Sequence, residues 1–320
     1  MMVGNKVMTV LGPVLAEALS VVDAHSHLYI APVASSVASA PVLVDEVGVG
    51  RELAAFRTAG GGAVIDCQPG GCGRDGRVLR RLSDQTGVHV VAATGFHRQL
   101  YYPPDAPLFG MSVTEAADYF RDEITNGLVE TRAEHGSRQS TVVYPGLLKI
   151  AAEATLDESP RMLFEAAAAV AGETGYTIEM HTERGAAVEA FLDFFTARGL
   201  SPGRLVFCHV DKRPDFGLHA ELAQAGVMLE YDTFFRPNYE PERYVWPLIG
   251  RMIAAGHEGQ VALATDMASP GLWAELGGGP GMLGIFTIIK DGLTRLDLPP
   301  STIDRLLGNN IAGRLVIEDR

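Results

Sequence analysis

A chain of 320 residues with 26 basic against 39 acidic side chains, net charge −13, lacks the basic surface that nucleic acids and anionic membranes require, which leaves small molecules as the expected partners. Three cysteines, Cys67, Cys72 and Cys208, are too few and too irregularly spaced for a disulfide framework, so a reducing compartment is expected. No apolar run reaches the roughly 18 to 20 residues of a membrane span, and Asn5, Lys6, Pro13 and Glu17 interrupt any leader-like stretch, so the chain reads as soluble and cytoplasmic.

After a short N-terminal extension, β-branched runs recur at 20–25 (SVVDAH), 62–67 (GAVIDC), 88–95 (VHVVAATG), 146–152 (GLLKIAA), 176–182 (YTIEMHT), 204–210 (RLVFCHV), 227–232 (VMLEYD) and 261–266 (VALATD). Helix-like segments separate them, among them RVLRRLSDQTG, SPRMLFEAAAAVAGETG, RGAAVEAFLDFFTARG and DFGLHAELAQAG. Several close on a Gly suited to the left-handed conformation past a helix end. Alternating strands and helices imply parallel pairing, and eight such units point to one (β/α)8 TIM barrel domain over 1–320. The interval 97–145, rich in Tyr and Pro at LYYPPDAPLFG, is the least regular part and is expected to form an extended loop plus a helix over the barrel mouth. GCGRDG at 71–76 formally fits G-x-G-x-x-G, but the preceding run ends several residues earlier and no acidic residue follows at the right distance, so it reads as a strand-to-helix loop.

In a barrel, reactive residues gather where strands end at the C-terminal face. The strand ends here carry His25 and His27, which share a face in an extended chain, then Lys149, His181, His209 and Asp266. The intervals from Lys149 onward are 32, 28 and 57 residues. One βα unit takes roughly 30 residues, so these positions fall on successive strands with one skipped before Asp266. All six are expected in one pocket.

Four histidines and an aspartate suit Zn²⁺, Mn²⁺, Co²⁺ or Fe²⁺, with zinc first among them. They exceed what one tetrahedral zinc needs with a position left for water, so two divalent ions are expected. Lys149 is the odd member. An ammonium beside two dications is repelled, its pKa is expected to fall, and the neutral amine can take up CO₂ as an anionic carbamate that ligates through oxygen. His97 ends the third run and Tyr101 follows it; both are candidates for the substrate pocket, as are Tyr102, Phe234, Phe235 and Trp273 for an apolar wall. Cys208 is expected to alternate away from His209 and to serve packing. His89, His135, His219 and His257 read as surface residues.

TVLGPVLAEAL leading to HSH, GGCGRDGRVLRRLSDQTGVHVVAATGFH, GLLKIAAEA, MHTERG, CHVDKRPD and TDMAS span residues 9–269, and together they resemble the phosphotriesterase family of the amidohydrolase superfamily. The resemblance implies a binuclear metal site at the C-terminal face of the strands. One ion would be bound by His25, His27 and Asp266 and the other by His181 and His209, with carboxylated Lys149 and a hydroxide bridging both. The family's usual His-Glu-His is His-Ser-His here, which leaves the ligands intact. Its relay histidine after the seventh strand is replaced, because Thr233 follows Asp232.

Within the family, HVDKRPD and EYDTFFRPNYEPERY are similar to the branch of sugar-lactone and phosphosugar-lactone hydrolases, where basic residues after the seventh and eighth strands hold a substrate phosphate. Arg236 and Tyr239 match the first group; MASPGLWAELGGGPG offers no basic residue for the second. The expected activity is that of a metal-dependent lactonase acting on a small polar lactone, with Asp266 as general base and acid. An organophosphate triester or carboxyl-ester hydrolase is the alternative within enzymes, and an inactive metal-binding scaffold the alternative outside them. A homodimer is compatible with the resemblance.

Overall fold

The β-branched runs are buried along most of their length, as strands covered on both faces must be. In the computed structural model, which describes residues 5–35, 37, 40–132 and 141–317, all eight are strands. An antiparallel hairpin of β1 (Lys6–Thr9) and β2 (Gly12–Leu15) comes first. Eight strands follow: β3 (Val21–Ser26), β4 (Gly61–Asp66), β5 (His89–Gly95), β6 (Leu147–Ala151), β7 (Ile178–His181), β8 (Leu205–Cys208), β9 (Met228–Tyr231) and β10 (Val261–Leu263). They are parallel and pair in sequence order from β3 to β10, which makes a (β/α)8 barrel.

The connecting helices are α1 (Glu46–Thr58), α2 (Gly76–Thr86), α3 (Val113–Asn126), α4 (Arg161–Thr174), α5 (Val188–Thr196), α6 (Phe216–Ala225) and α7 (Pro241–Ala254), with shorter helical turns from Ile285 to Arg314 completing the ring. Local chemistry sets their ends. The Asp75 carboxylate accepts from the N–H groups of Arg77 and Val78 to start α2, and Gly87 at φ 69° ends it, so GCGRDG is a strand-to-helix loop. Ser112 and Glu115 form a reciprocal capping box that starts α3. This helix does not lie over the mouth as expected; it packs against α4 and β5 as the ordinary crossover between β5 and β6, because its apolar face, with Ala116, Ala117 and Phe120, is buried in the outer shell.

Small and medium apolar residues, including Ala24, Ala63, Ile65, Val91, Leu147, Val206, Met228 and Ala262, fill the barrel interior, and Val7, Leu19 and Leu315 join them. A larger apolar shell lies between strands and helices. Tyr102, Phe234, Phe235 and Trp273 belong to that shell. Gly95, at φ 112°, is required where β5 meets β6, because a Cβ there would collide with the Lys149 carbonyl.

Side chains complete the seam between the first and last barrel strands. Asp23 accepts the Thr265 N–H at 2.9 Å and its hydroxyl at 2.5 Å, and the Asp266 N–H donates to the His25 carbonyl at 2.8 Å. Among the described residues, no helix is long and apolar enough to cross a membrane.

His219 is not a surface residue. It is buried in α6, where Nε2 donates to the Arg213 carbonyl at 3.0 Å and Nδ1 accepts from the Tyr231 hydroxyl at 2.8 Å. His89 and His257 are half-buried, and His135 lies outside the described residues.

Two stability predictions follow from these contacts. Asp23→Ala leaves the Thr265 N–H and hydroxyl buried without their acceptor, and denaturant unfolding is expected to show a loss of about 2–4 kcal/mol. An unchanged midpoint would remove Asp23 from the seam. Burial pushes His219 from 6.5 down to about 4, so its neutral form stabilises the fold fully above about pH 6.5, and that contribution is lost as pH falls toward 4. The urea midpoint of the parent protein should therefore fall further between pH 6.5 and 4.5 than that of His219→Gln; parallel curves would contradict the assignment.

Candidate metal centre

Residues at the strand ends enclose a cavity of about 340 Å³ whose lining includes His25, His27, His97, His181, His209 and Asp266. His25 and His209 lie 4.9 Å apart between ring centroids, His181 and His209 4.7 Å, and His25 and His27 5.6 Å. Asp266 Oδ1 is 4.0 Å from Nε2 of both His25 and His27, and its Oδ2 is 3.9 Å from His209. Lys149, fully buried, brings Nζ to 3.3 Å from His25 Nε2. The six strand-end positions thus meet in one place.

Three of the imidazoles are held from behind by acceptors. Nδ1 of His25 lies 2.8 Å from Glu230, Nδ1 of His27 lies 2.8 Å from the Gln68 amide oxygen, and Nδ1 of His209 lies 2.6 Å from Asp232. An N–H donated at Nδ1 leaves the Nε2 lone pair available, the arrangement that orients metal-ligating histidines. The fourth, His181, keeps a buried Nε2 with no hydrogen-bond partner. Burial works against the Asp266 carboxylate, yet Arg236 and His209 hold its pKa well below the usual range, so it stays anionic. Available imidazole nitrogens around a permanent carboxylate fit hard-to-borderline divalent ions. Glu179, Glu230 and Cys208 form a second buried group with His25.

Several expectations are corrected by this geometry. Arg236 does not line the cavity as a phosphate-holding residue would. Its guanidinium turns back to the seam, donating to Asp266 Oδ2 at 2.7 Å and to the carbonyls of Asp232, Thr265 and Asp266. Tyr239 does not line the cavity either; its ring lies 5.6 Å from Lys212 Nζ. His97 and Tyr101 do line it, packed edge to face at 4.8 Å. Burial and His181 hold the His97 pKa well below its ordinary value.

Cys208 faces the barrel interior, 3.7 Å from Lys149 Nζ. It shares the inward face with Val206, and His209 rejoins that side because its backbone turns left-handed at φ 62° just past the strand. Among the protein's own groups, Lys149 sits in an acidic setting. Burial opposes its charge, but Cys208, Cys67, Glu179 and Glu230 surround it, and the balance lies well above the ordinary lysine value. Glu179 stands 3.3 Å away.

Gln68, Glu179 and Glu230 are the residues that strand-end reasoning passes over. Glu179 precedes His181 by two and Glu230 precedes Asp232 by two, so period-two alternation puts each pair on one face of its strand. That signal is legible in TIEMH and MLEYD.

The phosphotriesterase family profile matches residues 5–310. The chain belongs to the phosphotriesterase family. Among curated relatives, an N-acetyltaurine hydrolase from Tetraodon nigroviridis is 27% identical, with 96% of each chain covered. Among solved structures, an amidohydrolase from Mycoplasma synoviae superposes with a TM-score of 0.86 at 20% identity, covering 99% of this chain and 93% of its own. The lactonase Lmo2620 from Listeria monocytogenes superposes at 0.83 and 18% identity, covering 98% and 100%. As a phosphotriesterase-family protein the chain is a metal-dependent hydrolase, and its buried His, Glu and Asp clusters are where metal could sit.

Gln68→Leu deletes the acceptor that orients His27. The expected outcome is a loss of divalent-metal affinity of about 10-fold or more, read by chelator competition. Undiminished affinity would show that His27 is held, or is dispensable, without Gln68.

Proposed function

We propose that the chain hydrolyses the acyl bond of a small N-acyl amine, using two divalent ions, zinc first among them, held by His25, His27, His181, His209, Asp266 and carboxylated Lys149. The observation that carries this reading is the convergence of four imidazoles and an ionised carboxylate under an open cavity of about 340 Å³. Ions bound there acidify water and polarise a substrate carbonyl. The choice of an amide rests on the curated relatives, such as the enzyme from Tetraodon nigroviridis, which share nearly the whole chain and are named N-acetyltaurine hydrolase.

Asp266 is the proton carrier in this reading. Arg236 at 2.7 Å keeps it ionised, so its carboxylate can take a proton from the attacking water. The same guanidinium makes the protonated form a strong acid, ready to deliver that proton to the leaving nitrogen. His97 and Tyr101 flank the acyl group from the cavity wall. Lys149 must be neutral to react with CO₂, whereas its own acidic neighbours favour the ammonium. Carboxylation is therefore coupled to metal loading: a carbonyl-labelled carbamate should appear by ¹³C NMR when metal is added under labelled CO₂, and not before.

A lactone is the second reading, favoured by the likeness of HVDKRPD and EYDTFFRPNYEPERY to the lactonase branch. Arg236 bound to Asp266, with no basic residue in 267–281, speaks against a phosphorylated one. Thr233, whose hydroxyl is bound to Asp211 at 2.6 Å, stands where triester hydrolases of the family carry their relay histidine.

Metal-loaded protein assayed on N-acetyltaurine, other N-acetylated amines, sugar and aliphatic lactones, and an organophosphate triester should give its highest kcat/KM on the amides. A lactone in first place would replace the amide reading with the second. Asp266→Asn cannot accept a proton at neutral pH, and kcat is expected to fall by roughly 10²- to 10⁴-fold while metal content changes less. Lys149→Ala should lose metal and activity, with short carboxylic acids restoring part of both; full retention would rule out the carbamate.

A further inference from the structure

We infer that Lys212 anchors a single anionic group, a carboxylate or sulfonate, on the substrate. This inference deepens the acyl-hydrolase reading and rests on it. Lys212 sits in the turn Val210–Lys212 just past β8, half-buried, with its side chain in the cavity lining. Apart from the imidazoles, it is the one basic side chain among the described lining residues.

The carboxylates that act on this ammonium, Asp211, Asp232, Asp266 and Glu183, each have a hydrogen-bonded partner of their own; Asp211, its neighbour in the chain, accepts from the Thr233 hydroxyl at 2.6 Å. Asp266, after β10, is bound by Arg236 at 2.7 Å. Asp232, after β9, accepts from His209 at 2.6 Å. Glu183, after β7, pairs with Arg98 at 2.6 Å. The Lys212 ammonium makes no hydrogen bond or ion pair among the described residues; the Tyr239 ring at 5.6 Å is its close contact. Arg98 and Arg236 are thus neutralised by the protein, and Lys212 is left unmatched in a site partly withdrawn from water. A half-buried ammonium without a partner carries an unrecovered desolvation cost, which a bound anion would offset.

The rest of the cavity gives this anchor a direction. Ile30, Pro32, Val33, Pro41 and Val42, which offer no charge, line the same cavity. A substrate would lie with its anion beside Lys212, its acyl group at the strand-end imidazoles and its carbon chain against these apolar residues. One ammonium suits a monoanion. The described lining holds no second Lys or Arg to grip a phosphate dianion from another side.

The test compares substrates that differ only in the anion. On the metal-loaded enzyme, kcat/KM is measured for N-acetyltaurine, N-acetyl-β-alanine and neutral N-ethylacetamide, in the parent, Lys212→Gln and Lys212→Arg. The ratio of anionic to neutral substrate should fall about 10-fold or more in Lys212→Gln, chiefly through KM, and Lys212→Arg should keep most of it. The sulfonate and carboxylate arms show which anion is preferred. An unchanged ratio, or a loss in kcat shared equally by charged and neutral substrates, would overturn the anchor, the second outcome assigning Lys212 to proton transfer. Should amides not be hydrolysed, γ-butyrolactone and its carboxylated analogue give the same ratio for the lactone reading. Calorimetric binding of taurine and β-alanine to the holoenzyme decides the matter independently of turnover: loss of binding in Lys212→Gln supports the anchor, and equal binding overturns it.

Discussion

The seam between β3 and β10 is the constraint on which the site depends. Seven neighbouring strand pairs are joined by parallel ladders, but the first and last barrel strands meet through the Asp23 carboxylate on Thr265 and the Asp266 N–H on the His25 carbonyl. Closing the barrel therefore also sets the distance from Asp266 to the two histidines of β3. Burial pushes Asp23 up to about 7, a measure of how much desolvation this closure demands. Asp266 takes a left-handed backbone, φ 48°, just beyond β10 while its amide stays bonded to the His25 carbonyl.

A second layer of polar groups lies beneath the imidazoles. Glu230, Gln68 and Asp232 sit behind His25, His27 and His209, and each fixes a ring by occupying Nδ1. Most of a barrel interior is apolar, and here too Ala, Val, Leu and Met fill the lower part. Glu179 and Glu230 appear only at the level of Lys149 and His25, and burial and Glu179 push Glu230 up to about 8. Their burial is tolerable because charged or hydrogen-bonding partners stand within about 3 Å, the condition for keeping such groups inside a protein.

Charge pairing at the rim separates residues of the same type into different roles. Arg236 is consumed by Asp266 and three carbonyls, and Arg98 by Glu153 and Glu183. Both are structural cations that hold acidic residues in place. The Lys212 ammonium, on a different loop, has no hydrogen bond or ion pair among the described residues and rests near the Tyr239 ring. Composition makes all three equivalent, and only their partners distinguish them.

The sequence by itself determined the barrel and the six strand-end residues, because both follow from local rules. Burial on two faces selects β-branched runs, helix caps such as Asp75 and Ser112 mark the turns between them, and a repeat near 30 residues carries His25, Lys149, His181 and His209 to the same rim. Where each polar side chain finds its partner is not local. Arg236 meets Asp266 across 30 residues of chain, and His25 meets Glu230 across 205. His209 and Cys208 both face inward because one residue turns left-handed, which strict alternation cannot foretell. The protein's own groups hold Lys149 above its ordinary pKa because the fold brings Cys208, Cys67, Glu179 and Glu230 around it. Those outcomes belong to the tertiary structure, since electrostatic and hydrogen-bond energies depend on distances through space, which only the closed barrel defines.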